Sequence, residues 1–158
     1  DAYLREMHAR TNPAAQLGRA IAGKRILWVD PNDYASDVEH GMRLLEEAAR
    51  LAGGRTAILQ VPTAADGFAA FAERPWDLLI THWGYGQAPP PYQSVGEQVL
   101  TEVRRMGLPV PTLVFAGGQH ADENKVEALR LGAAGYAFRW SSLFRMLADM
   151  FAPGSETG

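Results

Sequence analysis

Two carboxylates and an imidazole stand where chemistry gathers in α/β proteins. Asp30 closes the apolar run "RILWVD" (25–30), Asp33 follows three residues on, and His82 closes "WDLLITH" (76–82). Strand ends of this kind line the crevice at which open α/β sheets bind ligands. Three kinds of chemistry suit these residue types. Asp30, Asp33 and His82 could ligate a metal, and imidazole suits zinc or nickel better than magnesium. His82 could carry a phosphoryl group itself. Alternatively, its ring could donate a hydrogen bond to Asp30, or pair with it once protonated, and so hold two loops together without a ligand. The residue types alone leave all three open.

Composition narrows the setting. The chain has 158 residues, 47% hydrophobic and 21% charged, which is the balance of a soluble globular domain. A net charge of −3 gives no basic footprint for nucleic acid, and Arg104-Arg105 reads as a solvated helix face. The absence of cysteine excludes disulfides, thiolate metal sites and cysteine nucleophiles. No stretch approaches the roughly 20 apolar residues of a membrane helix, and neither a charged n-region nor an apolar h-region is visible at the start. A cytoplasmic location is the expectation. Of the 15 basic residues only Lys24 and Lys125 are lysines, and with so much alanine and glycine this hints at a bacterial source.

The elements that must position Asp30 and His82 follow from periodicity. Apolar runs at 25–30, 56–61, 76–82, 110–118 and 135–140 alternate with helix-period segments at 35–54, 63–73, 94–107, 122–132 and 142–151. Thr63 suits the start of the second of these helices, and Gly53-Gly54 the end of the first. Five successive βα units predict a flavodoxin-like, doubly wound five-stranded parallel sheet of order 2-1-3-4-5, with its crevice at the ends of strands 1 and 3. Residues 1–23 form an N-terminal helical extension, with Asn12 capping Pro13 and a thin apolar stripe of Leu4, Met7, Leu17 and Ile21. Such a helix either packs over the edge of the sheet or serves as a dimerisation or inter-domain helix. The domain proper spans 24–152, and 153–158 is a polar tail.

With these elements placed, residues 24–151 resemble the receiver domain of bacterial response regulators. "KRILWVD", "WDLLIT", "PVPTLVFAGG" and "LRLGAAGYAFRW" carry the likeness. "ILWVD" and "DLLIT-x-WG" also look like a divergent receiver-like group similar to Toll/interleukin-1-receptor domains. The resemblance implies an acidic pair for Mg²⁺ at the end of strand 1, an aspartate phosphoacceptor at the end of strand 3, a Thr or Ser ending strand 4 and a Lys ending strand 5. At those positions this chain has Asp30-Pro31, His82, Ala116 and Arg139-Trp140. One carboxylate survives, with Asp33 nearby, and one cation is kept. Without a carboxylate at 82 no acyl phosphate forms. The resemblance therefore implies a degenerate pseudo-receiver, with no cofactor and no conventional phosphorylation. Arg139 could join a network with Asp30.

Such a module would act by protein–protein contact, with a partner protein or neighbouring domains of a longer signalling chain, or as a homodimer. Its expected surface is the flank formed by the helix after strand 4, strand 5 and the last helix, including Arg130, Tyr136, Trp140, Phe144 and Met146. The loop "WGYGQAPPPYQSVGEQ" adds Trp83, Tyr85 and Tyr92, which either pack down over the crevice or form a recognition surface. The alternative reading is an enzyme or ligand-binding domain that reuses the strand 1/strand 3 crevice for a nucleotide or metal. No G-x-G-x-x-G, P-loop, H-E-x-x-H or G-x-S-x-G occurs. Glu97 and Glu102 evoke the carboxylate with which Toll/interleukin-1-receptor enzymes cleave NAD, but their spacing equally suits a solvated helix face.

Overall fold

The structure, a computed structural model, describes residues 12–31, 37–84, 94–118 and 120–152. Helix α1 (Pro13–Ile21) starts as its sequence dictates. The Asn12 side chain accepts from the Ala14 and Ala15 N–H groups, and Pro13 occupies the first turn, where no donor is needed. Strand β1 (Arg25–Val29) follows, then α2 (Val38–Leu51), β2 (Ala57–Val61), α3 (Ala64–Glu73), β3 (Leu78–Thr81), α4 (Val95–Met106), β4 (Thr112–Phe115), α5 (Ala121–Arg130), β5 (Gly135–Ala137) and α6 (Trp140–Met150). The strands form one parallel sheet in the order β2-β1-β3-β4-β5, as the βα alternation predicts.

Helices cover both faces. Ile26, Trp28, Ile80, Leu113 and Phe115 face α2 and α6, where Leu45, Leu143 and Leu147 are fully buried. Leu27, Val29 and Leu79 face α3 and α4. Double-sided burial explains why β1, β3 and β4 read as unbroken apolar runs. Each fully buried Leu or Ile contributes about 1.5–3 kcal/mol by leaving water.

Helix α1 does not lie over a sheet edge. It packs across α2 and α6 and buries Leu17 and Ile21 in the cluster with Leu45 and Leu147. Gly18 permits the approach, since a Cβ there would stand 2.0 Å from the Ala48 carbonyl oxygen. Leu4 and Met7 lie outside the described residues, as does the 153–158 tail. Among the described residues no helix is long and apolar enough to cross a membrane.

A second close approach in this layer is aromatic. Trp140, the first residue of α6, packs at a tilt with its ring centroid 4.5 Å from that of Phe115, 6.0 Å from Trp28 and 5.8 Å from Phe144. A Cβ at Gly41 of α2 would meet the indole at 2.1 Å, so only glycine admits the ring there. Gly41→Ala is therefore expected to cost about 1–3 kcal/mol by overpacking, read from urea unfolding. On a Trp140→Ala background the same substitution should cost little. Equal costs on both backgrounds would refute the wedge.

Candidate functional site

The register of β1 against β3 pairs Val29 with Thr81, so the next residues, Asp30 and His82, come together at the mouth of the sheet. Backbone bonds fix both. The Asp30 N–H donates to Val61 O (2.9 Å), and the His82 N–H to Val29 O (2.8 Å). The Gln60 side chain donates to Asp30 O. The Asp30 side chain is buried at 1% exposure and that of His82 is 28% exposed. Nδ1 of His82 stands 3.8 Å from Oδ2 of Asp30. That is ion-pair range once the ring is protonated, and too long for the direct hydrogen bond that the sequence suggested.

Trp83, directly after His82, turns inward. Trp83 is 5% exposed and packs edge-on against Tyr136, itself 5% exposed, in a cluster with Leu100, Val114 and Ala128. The Tyr136 hydroxyl donates to Gly117 O and receives from Asn124 Nδ2, both at 3.4 Å. Neither ring is a surface anchor, because the space between α4, α5 and the sheet needs large apolar bodies to fill it. Trp140 and Phe144 are likewise half-buried members of the α6 packing. Tyr85, Tyr92 and Asp33 lie outside the described residues.

Helix α4 begins directly against this segment. Its start is a capping box: Ser94 Oγ accepts from the Glu97 N–H (3.1 Å), and the Glu97 carboxylate accepts from the Ser94 N–H (3.4 Å). The Gly96 N–H donates to Trp83 O at 2.9 Å. Glu97 thus has a structural task. Glu102 accepts two hydrogen bonds from Arg105 Nε at 3.1 and 3.0 Å, and the guanidinium holds its carboxyl below the ordinary glutamate range. Neither carboxylate is presented as a catalytic group.

The two remaining positions do not converge on Asp30. Ala116 carries no hydroxyl, and its N–H donates to Ala137 O. Arg139 precedes α6 and is exposed, with its guanidinium carbon 5.3 Å from the ring centroid of Phe138. The network with Asp30 expected from its charge is not formed; the guanidinium lies over the exposed ring of Phe138 instead. Phe138 itself, 47% exposed, escaped the sequence reading, as did Val126 (69%) and Leu129 (45%) on α5. Their only signal was an apolar residue at a polar helix position or a strand end.

Among the described residues the donor set at this mouth does not fit a magnesium ion, which wants a tight octahedron of oxygens. Pro31 stands where the resemblance implies the second acidic residue, and the His82 imidazole stands where it implies the aspartate phosphoacceptor. Among the described residues no group of three His, Asp or Glu side chains is close enough to hold a metal.

No family model matches the sequence, and no curated protein does. Solved structures do. A two-component response regulator from Clostridium difficile superposes with a TM-score of 0.64 at 14% identity, over 82% of this chain and 97% of its own. A CheY-like response regulator receiver domain protein from Methanospirillum hungatei gives 0.62 at 19% identity, over 85% and 98%. NtrX from Brucella abortus gives 0.63 at 17% identity, over 85% of this chain and 28% of that longer protein. The fold is that of a response-regulator receiver domain.

A Cβ at Gly96 would stand 2.6 Å from the Trp83 ring and 3.2 Å from His82 O, whereas one at Gly117 meets nothing within 4 Å. Gly96→Ala is expected to cost about 1–3 kcal/mol and to shift the His82 ring signals in NMR spectra. Gly117→Ala should change neither.

Proposed function

We propose that this chain is a pseudo-receiver, a regulatory module of a signalling protein that acts by protein–protein contact and not by aspartyl phosphorylation. The observation that carries the reading is the end of β3, where an imidazole faces a buried carboxylate across 3.8 Å. An acyl phosphate forms on a carboxylate, and none is offered there. Ala116 supplies no hydroxyl, and Arg139 is turned away over Phe138, so neither end of a phosphoryl-sensing relay is in place.

The unit of this function is residues 24–152, with α1 riding on its α2–α6 side. Its contact surface is the flank of α5, β5 and α6. The residues that offer apolar area there are Val126, Leu129 and Phe138, with Arg139 and Arg130 as polar neighbours. Exposed apolar side chains rimmed by charge mark association sites more often than isolated surface residues do. The partner is a neighbouring domain of a longer signalling chain, a separate protein or a second copy. Tyr85 and Tyr92 belong to the same reading as recognition residues of the β3–α4 loop.

Incubation with acetyl phosphate and Mg²⁺ is expected to leave the intact mass unchanged. Beryllofluoride with Mg²⁺ should move no amide resonance beyond what Mg²⁺ alone does. A stoichiometric phosphoryl adduct would sink the proposal.

A further inference from the structure

The two ends of the sheet are finished differently. β5 is three residues long and runs straight into Phe138 and Arg139. β2 is five residues long, "AILQV", with no charge, glycine or proline inside it. Ala57 is exposed, and Leu59 is 41% exposed. Soluble proteins usually blunt an edge strand with charge, proline or a bulge, because its unpaired N–H and C=O groups template pairing. Pro62 ends β2, but nothing within the strand blunts it.

The hydrogen bonds say which groups face out. In a parallel ladder one residue turns both backbone groups to one neighbour, and the next residue turns both to the other side. The Ala57 N–H donates to Lys24 O (3.0 Å), and Val61 O accepts from the Asp30 N–H (2.9 Å), both towards β1. Ala57, Leu59 and Val61 therefore face β1, while Ile58 and Gln60 turn N–H and C=O outward.

We propose that this edge binds a second copy of the chain, with β2 antiparallel to β2 about a two-fold axis at Leu59, so that two sheets become one. Ile58 exchanges both backbone hydrogen bonds with Gln60 of the second copy, and Gln60 does so with its Ile58. Leu59 meets Leu59 as a non-hydrogen-bonded pair, the closer kind, with Cβ atoms about 4.5–5.5 Å apart. This covers apolar surface that each copy leaves exposed. The same register sets Arg55 opposite Thr63, one turn before Asp66 at the start of α3. Arg55 is exposed and makes none of the ion pairs found among the described residues. Asp66 is exposed too, so two Arg55–Asp66 contacts close the pairing, one at each end. The occupant is a second copy because the edge is self-complementary in backbone, apolar centre and charge. The pairing stands whether or not the mouth of the sheet takes up a phosphoryl group.

Sedimentation velocity on the whole chain, from about 1 μM to about 1 mM, tests this on the concentration scale of weak association. A concentration-dependent dimer is expected. Leu59→Lys places like charges opposite each other and should raise the dimer Kd at least about tenfold, with circular dichroism confirming the fold. Arg55→Asp, an exposed change, should weaken the dimer, and adding Asp66→Arg to the same chain should restore it. A protein monomeric throughout the range overturns the proposal, as does a dimer indifferent to Leu59→Lys and Arg55→Asp. A dimer lost in Leu129→Glu but kept in Leu59→Lys also overturns it and places association on α5.

Discussion

The Trp140 indole lies between the first turn of α2 and the ends of β1 and β4, and the arrangement of that side of the sheet depends on it. Its neighbours are the rings of Trp28, Phe115 and Phe144 and the bare backbone of Gly41. Aromatic pairs of this kind add about 0.5–1.5 kcal/mol each beyond simple burial. The contact sets the height at which α6 starts and the angle at which α2 crosses. Arg139, the last residue before α6, sends its side chain to the surface over Phe138. A corner filled by a large rigid ring has few alternative packings, since close-packed interiors move between discrete arrangements and do not deform smoothly.

The mouth of the sheet shows the same preference for packing over chemistry. Trp83 and Tyr136 fill the space beside α4 and α5, and the capping box of Ser94 and Glu97 anchors α4 against the Trp83 backbone. Asp30 is the one buried carboxylate among the described residues; its N–H donates to Val61 O, its carbonyl accepts from the Gln60 side chain, and its carboxylate faces His82. On the proposed reading, His82, Ala116 and Arg139 stand where a phosphoryl-binding centre would have its aspartate, hydroxyl and lysine, and His82 faces Asp30 while Arg139 lies over Phe138.

Much of this was legible in the chain itself. The unbroken apolar runs of β1, β3 and β4 announce strands buried on both faces, and Asn12 and Thr63 mark helix starts where the caps form. The strand order followed from the βα alternation, and it placed Asp30 beside His82. What escaped was sidedness. A tryptophan after a strand has the same sequence whether it covers a crevice or enters a core, and Trp83 enters the core because α4 and α5 leave room for it. The charge of Arg139 suggested a carboxylate partner, yet its neighbour Phe138 captures it. β2 looked like the other strands, and only its place at the end of the order makes it half-exposed. Helix α1 was legible as a helix, but its seat on α2 and α6 depends on Gly18 meeting Ala48, a contact between distant segments.

The seat of α1 bears on how the chain folds as it is made. Leu17 and Ile21 share a cluster with Leu143 and Leu147, so the first described helix completes its burial against the last. A loop of that length is slow to close, and contacts so far apart in sequence form late. On the ribosome α1 emerges before α6, and the part of its apolar face that α2 does not cover stays in water until α6 is made. The sheet can assemble strand by strand during synthesis, but this layer can close only when residues 140–150 have emerged. Among the described elements α1 is therefore the one whose burial is completed last, and α6 is the element that ends its exposure.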